Sequence, residues 1–265
     1  MTDASLPAGR FTQGEFRVGH VFSRAWSVFS QNFLTFILVT GIASLPSLLM
    51  PQPTPGVPPV NPFQNLGMVV FVMLLMIVLG TLSQAIVLYG AFQVMRGRPV
   101  DLAESAKIGL RRFFPIVGLA ISMTVLAFLA TLLFVIPGLI VYMMWFVATP
   151  VCVVEQLGPF RSMGRSRELT KGHRWKLFGL MLLILIPALI VGAIVGAVMV
   201  AATGGLLAAV TTMSTTMATT LGQIVNLIWS AFWTAFYAIV IVVTYHDLRV
   251  AKEGIDTDQI AAVFD

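Results

Sequence analysis

Long apolar stretches alternate along this chain with short segments that carry nearly all of its charge. A helix needs roughly 20 apolar residues to cross the hydrocarbon core of a bilayer. Phe33 to Met50 is the first such stretch. Leu66 to about Met95 is the second, long enough to tilt or to project from the membrane. Between them PQPTPGVPPVNPFQN holds too much proline to continue either helix. Phe114 to Val154 is apolar almost throughout, too long for one crossing, and Ile136-Pro137-Gly138 interrupts it. Proline removes a backbone donor and glycine loosens a helix, so these residues predict a tight turn between a third and a fourth span. A fifth span runs from Leu177 to about Ala202 and a sixth from Leu221 to about Tyr245. The intervening TGGLLAAVTTMSTTMATT, residues 203–220, admits either a loop or a partly inserted helix.

The polar segments have a pattern of their own. In Phe16 to Ser30, the residues Phe22, Ala25, Trp26 and Phe29 share one helical face, with Arg17, His20, Arg24 and Ser27 opposite. In Asp101 to Phe113, Leu102, Ala106, Leu110 and Phe113 recur at helical spacing, opposite Asp101, Glu104, Ser105, Lys107 and Arg111; Ile108 is out of pattern. Phe160 to Leu169 keeps Phe160 and Met163 on one side. These segments predict three amphipathic helices lying in the interface. A unit of interfacial helix, span, turn and span then recurs three times. It divides one integral membrane domain, 1–265, into 1–95, 96–157 and 158–250, with a tail at 251–265. RGRPVDLAES and QLGPFRSMGRS both place Gly, then Pro, before a Ser-containing helix, as suits the end of one helix and the start of the next. KEGIDTDQI is a truncated echo of the same join. Repeats of this kind build pseudo-symmetric bundles; the plainer alternative is that all short connections look alike.

Composition agrees with a membrane chain. Soluble domains carry about 25% charged residues, whereas here 10% are charged, 58% are hydrophobic and the mean hydropathy is +0.93. The expected fold is therefore all-α, a polytopic transmembrane helical bundle of about six spans with three cytoplasmic amphipathic helices. The Lys and Arg residues fall into the N-terminal segment, the two connections Arg96 to Arg112 and Arg161 to Lys176, and the tail with Arg249 and Lys252. Six spans put those four regions on one side, and the other three connections hold no Lys, Arg, Asp or Glu. The positive-inside rule makes that side cytoplasmic, both termini included. Five or seven spans would break the agreement. The net charge of +5 and pI of about 9.8 then reflect topology, and no aromatic-basic interleaving points to nucleic acid. The polar stretch before the first apolar run does not read as a cleaved export signal. The single cysteine, Cys152, cannot form an internal disulfide and reads as a small buried hydrophobe.

From Ile136 to Leu182 the chain reads IPGLIVYMMWFVATPVCVVEQLGPFRSMGRSRELTKGHRWKLFGLML. The IPG, the Pro150 to Glu155 stretch, Gly158, and RSRELTKGHRW before an apolar span resemble the membrane-domain family attached to some glycerophosphoryl diester phosphodiesterases, which also stands alone in bacterial membrane proteins. The strong part covers about a fifth of the chain. The resemblance implies a polytopic helical protein of a bacterial cytoplasmic (inner) membrane. It does not imply hydrolysis, since the fused hydrolase is a separate soluble barrel and no room for one follows the last span.

The candidate chemistry is sparse. No carboxylate falls mid-span, and His20, His173 and His246 are scattered among the polar segments. Positioned acids, bases or metal ligands are therefore not expected, nor a cofactor, and the protein reads as non-enzymatic. Ion-coupled transport usually relies on ionisable groups inside the membrane; the spans offer only uncharged polar residues such as Gln84, Asn226, Ser230 and Thr234. The third basic segment is the most informative. Arg161, Arg165, Lys171, Arg174, Trp175 and Lys176 combine cations with an interfacial aromatic, as an anionic lipid headgroup site would. The competing reading is a structural ion pair of Glu155 with Arg165 or Arg174 that locks this segment to the bundle. The leading expectation is a protein that interacts with anionic lipids and organises or shapes the membrane, or scaffolds membrane partners, with a homo-oligomer or another membrane protein as partner. The alternative is a transporter or channel component for an uncharged or amphipathic solute.

Overall fold

The computed structural model describes residues 16–50, 66–202 and 212–253. The proline-rich 51–65, the first part of the Gly/Ala/Thr segment, 203–211, and most of the tail, 254–265, lie outside the described residues. Every regular element among the described residues is helical: α1 Val18–Gln31, α2 Phe33–Ser44 followed by a 3-10 turn Leu45–Leu49, α3 Leu66–Met95, α4 Leu102–Arg111, α5 Phe113–Leu133, α6 Val135–Met144, α7 Ala148–Val154, α8 Pro159–Thr170, α9 Arg174–Ala202 and α10 Thr212–Glu253.

Five stretches are long and apolar enough to cross a membrane: α3, α5, Ile136–Val154, Arg174–Val198 and Gly222–Glu253. A sixth is counted if α1 and the Phe33–Leu49 segment, which meet at a bend of 84°, are taken together as one broken span. At 1.5 Å per α-residue and 2.0 Å per 3-10 residue, the Phe33–Leu49 segment is about 28 Å long, close to the hydrocarbon thickness by itself. The first expected span thus ends in a 3-10 turn carrying Pro46 rather than as continuous α-helix. The sixth is longer than the apolar pattern implied, because α10 starts at Thr212 and continues to Glu253 through His246, Asp247 and Arg249.

The turn between the third and fourth spans is at Phe134, not at Ile136-Pro137-Gly138. Phe134 is extended (φ −162°, ψ 148°) and caps α6, which places Pro137 in the first turn of α6. Proline is tolerated there because first-turn amides have no intrahelical acceptor. Gly138 serves the approach of the two helices. A Cβ on it would lie 2.1 Å from Thr131 Oγ1 and 2.9 Å from Thr131 Cα. The fourth span is itself broken at Trp145–Val147, because Pro150 in α7 has no N–H to continue the ladder.

Burial sorts the helices. The most apolar windows of α3, α5 and α9 are each 11% buried, against 50% for Ile136–Val154 and 56% for the last span. The C-terminal half of α10 is the central post of the bundle, with Phe236, Ile239, Val240, Val242, Val243, Tyr245 and Leu248 all buried. Around it, Leu38 and Ile42 of α2, Phe71 of α3, Phe128 and Leu132 of α5, and Leu189 and Ile194 of α9 are exposed. Water would not tolerate so much contiguous apolar surface, and bilayer hydrocarbon does.

The short polar helices pack by unlike means. Val21, Ala25, Val28 and Phe29 of α1 are buried against the bundle, whereas Trp26 is half exposed. On α4 the buried positions are Ser105 and Gly109, the latter 3.1 Å from Ala85 at its would-be Cβ, and Leu102 and Leu110 point outward. Asp101 caps α4 by accepting from the amides of Ala103 and Glu104.

Candidate functional site at the charged end of the bundle

All Lys, Arg, Asp and Glu among the described residues lie in four segments: 17–24, 96–112, 155–176 and 247–253. Side-chain contacts gather these segments at one end. Lys176 Nζ donates to the Phe16 carbonyl at 3.1 Å, Arg24 Nη1 to Asp247 Oδ1 at 3.3 Å, and Lys252 Nζ to the Glu168 carbonyl at 2.6 Å. Arg112 donates to both the carbonyl and the side-chain oxygen of Gln156. Gln156 has φ 54°, a left-handed conformation uncommon outside glycine, and it reverses the chain between α7 and α8.

At the centre is a closed ring of charge-assisted hydrogen bonds. Glu155, the residue that ends α7, accepts from Arg165 Nε at 3.0 Å through one oxygen and from the Tyr245 hydroxyl at 3.1 Å through the other. Arg165 also donates to Glu253. Glu253 accepts from Arg249 Nε at 3.0 Å, and Arg249 Nη1 donates to the Tyr245 oxygen at 3.2 Å, closing the ring. Two guanidiniums balance two carboxylates, and α7, α8 and α10 are joined by it. Burial lowers the Arg165 pKa, but Glu155 and Glu253 more than offset this, so the net shift is upward and the cation is held. A second knot surrounds Asp247, which faces His20, Arg24 and His246 at 3.2–3.3 Å and ties α1 to α10.

Helix α8 is held by hydroxyls. The break at Trp145–Val147 diverts the Ala148 amide to the Trp145 carbonyl and leaves the Met144 carbonyl without its helical donor. Ser166 Oγ at 2.9 Å and Thr170 Oγ1 at 3.2 Å, both fully buried, donate to it instead. Ser162 Oγ donates to the Gly158 carbonyl at 2.9 Å. The buried stripe of α8 is thus Ser162, Met163, Ser166, Leu169 and Thr170. Phe160, expected beside Met163, is 74% exposed while Met163 is 5%. The inward face of this helix is set by hydroxyl partners together with Met163 and Leu169, and Phe160 falls outside it.

The six residues expected to form a headgroup site divide. Arg165 is drawn into the ring with Glu155, and Arg174 is not a partner of Glu155. Lys176 is exposed and spends one of its donors on Phe16. Arg161 and Lys171 are exposed on α8 and its C-cap, Arg174 is half-buried, and Trp175 is 85% exposed. Arg167, which the expectation omitted, lies on the same outer face as Phe160 and Lys171, since residues seven and eleven further along a helix return to one side. Arg161, Arg167, Lys171 and Arg174 take no carboxylate among the described residues. Meanwhile the six described carboxylates are all occupied: Glu155, Glu253 and Asp247 as above, Glu168 3.7 Å from Arg165, Asp101 as a cap, and Glu104 accepting from Gln93. His173, between α8 and α9, has its pKa lowered by burial and then by Lys176 and Lys252; its Nδ1 is buried without a partner.

Sequence reasoning missed Tyr245, Arg249 and Glu253. Their spacing of four residues puts them on one face of α10, and Arg249 with Glu253 is a helical ion pair in its own right. No curated protein and no solved structure matches the chain. Residues 61–248 match the profile of a family described as a domain of unknown function, DUF7847. That match takes in well over half of the sequence, and the chain therefore belongs to the DUF7847 family.

Proposed function

We propose that the protein is a non-enzymatic integral membrane protein whose charged end binds anionic lipid headgroups, and that it organises the surrounding membrane or scaffolds partners there. One observation carries this reading. The carboxylates at this end are consumed by internal contacts, while Arg161, Arg167 and Lys171 are exposed without them and the half-buried Arg174 also takes none, beside exposed Phe160 and Trp175. Cations beside interfacial aromatics suit a phosphate-bearing surface. The charged end is then the cytoplasmic one, with both termini there, in a bacterial cytoplasmic membrane. The short helices α1, α4 and α8 are the interfacial elements, each preceding a pair of spans in a threefold repeat. The exposed Leu102, Leu110 and Phe114 reach toward lipid. From the likeness to phosphodiesterase-associated membrane domains we carry over the bundle and no hydrolysis.

The test is native mass spectrometry of the protein extracted without detergent. Anionic phospholipids are expected to stay bound to the wild type. Each Lys or Arg near a membrane surface contributes about 1 kcal/mol, so Arg161→Gln, Arg167→Gln and Lys171→Gln together should weaken retention about 100-fold. Unchanged retention would overturn the reading. A wild type that carries no lipid but supports solute flux in vesicles would replace it with transport.

A further inference from the structure

A half-open groove of about 290 Å³ lies between α1, α9 and α10. Its wall includes Phe22 and Trp26 of α1, Leu183 and Pro187 of α9, and Trp229 and Phe236 of α10. Every lining residue is apolar or aromatic. The rings are held in place by one another: Phe22 and Trp26 each meet Phe236 edge to face, with centroids 5.8 and 5.9 Å apart. The indole of Trp229 lies 3.4 Å from where a Cβ of Gly192 would be, so the glycine lets the ring settle against α9. Water needs two to four polar partners to occupy a cavity, and the only side-chain polar groups of this wall are the indole N–H donors of its tryptophans, with no acceptor side chain among the lining residues. Two of the three helices are candidate membrane spans, so the medium outside the groove is hydrocarbon.

The groove has a charged end. Lys176 stands seven residues before Leu183, which is two turns and about 10 Å along the same face of α9. Its ammonium reaches the Phe16 carbonyl, bridging α9 to the start of α1, the two helices that border the groove. One donor is used in that contact and two remain. A cation two turns above a dry aromatic slot matches the layout of a phospholipid, with its phosphate at the interface and its chains below.

We propose that this groove holds one hydrocarbon chain of an anionic phospholipid whose phosphate is met by Lys176. The site deepens the lipid-binding reading and rests on it for the charge of the ligand, but it uses residues separate from the outer edge of α8. A bound chain here would be a resident lipid, seated between the N-terminal helix and the central post, not one exchanging along the outer surface.

The experiment uses the full chain in bilayers with a photoactivatable diazirine on the acyl chain of phosphatidylglycerol or of phosphatidylcholine. Phosphatidylglycerol should label Leu183–Val191 and Trp229–Phe236 about five-fold more than phosphatidylcholine, the preference one interfacial cation gives. Lys176→Gln should abolish that preference. Leu183→Trp should fill the groove and remove the labelling while leaving lipid retention at the α8 edge intact. Equal labelling by the two probes, or labelling no denser than on the lipid-facing Phe128–Leu133 of α5, would overturn the proposal. If that happens while the Arg161/Arg167/Lys171 variant still loses anionic lipid, this inference falls alone. If groove labelling is selective but that variant loses nothing, the groove stands and the α8 edge reading falls.

Discussion

Replacing Arg165 with methionine should destabilise the bundle far more than removing any other cation of the same segment. Arg165 holds Glu155 on one side and Glu253 on the other, so the substitution strands two carboxylates. Breaking a buried pair from one side costs about 3–5 kcal/mol. Here the three side chains are 28%, 17% and 19% exposed, and residual solvent screening lowers the expectation. About 2–3 kcal/mol is reasonable for such partly buried groups. Glu155→Gln should cost less, about 1 kcal/mol, because Arg165 keeps Glu253 and the amide still accepts from Tyr245. Combining the two should fall short of the sum by at least about 1 kcal/mol, since the carboxylate left unpaired by the first change is neutralised by the second. The assay is reversible unfolding in mixed micelles followed by tryptophan fluorescence, with Arg161→Met as the surface control, expected within about 0.5 kcal/mol of wild type. An Arg165→Met midpoint equal to that of Arg161→Met, or strict additivity with Glu155→Gln, would refute the ring as a lock.

Two further outcomes follow from the packing of the fourth span. Ser166→Ala and Thr170→Val should each be mild, because either hydroxyl alone still serves the Met144 carbonyl; the double variant orphans it and should cost about 1–3 kcal/mol in the same unfolding assay. Gly138→Ala should cost about 1–3 kcal/mol or more by overpacking, and Thr131→Ala should not rescue it, because the new Cβ also meets the Thr131 backbone; Gly164→Ala, with open space around it, is the neutral comparison in a thermal-melt series.

Much of the architecture was legible because a bilayer imposes a simple rule on composition. The apolar runs at Leu66–Met95 and before Ala202 coincide with α3 and with the end of α9. Breaks were harder to place. Pro137 and Pro150 each signal an interruption, but a proline is accommodated in the first turn of the following helix, so the chain turns three residues ahead of Pro137 and bends at Trp145–Val147. The pattern of apolar residues also misjudged α8, whose inward face is set by Ser162, Ser166 and Thr170 together with Met163 and Leu169. Ser162 bonds locally to the Gly158 carbonyl, but the relevance of Ser166 and Thr170 depends on a carbonyl freed more than twenty residues earlier, which no local pattern encodes. The same holds for the ring. Glu155 and Arg165 were conspicuous because they are close in sequence, whereas Tyr245, Arg249 and Glu253 join them only through the fold. The likeness of the Ile136 to Leu182 stretch to a known membrane domain fixed neither.

The proposed lipid contact rests on a separation of paired from unpaired charge at one end of the bundle. A ring with equal numbers of guanidiniums and carboxylates contributes almost nothing to the field outside the protein, yet it clamps α7, α8 and α10 into one piece. If the proposed headgroup binding holds, the outward cations of α8 are presented on an edge fixed by the ring, with little freedom to lose on meeting a phosphate. Had Arg165 remained free, it would have added one charge to the surface at the expense of the clamp. Had Arg161 or Lys171 found carboxylates, the surface excess would be smaller by those charges. The distribution is thus asymmetric in a testable sense: changes inside the ring should move stability with little effect on lipid preference among folded molecules, and changes on the outer edge should do the reverse. A variant set in which both quantities always moved together would remove the physical basis for treating these as two populations of charge.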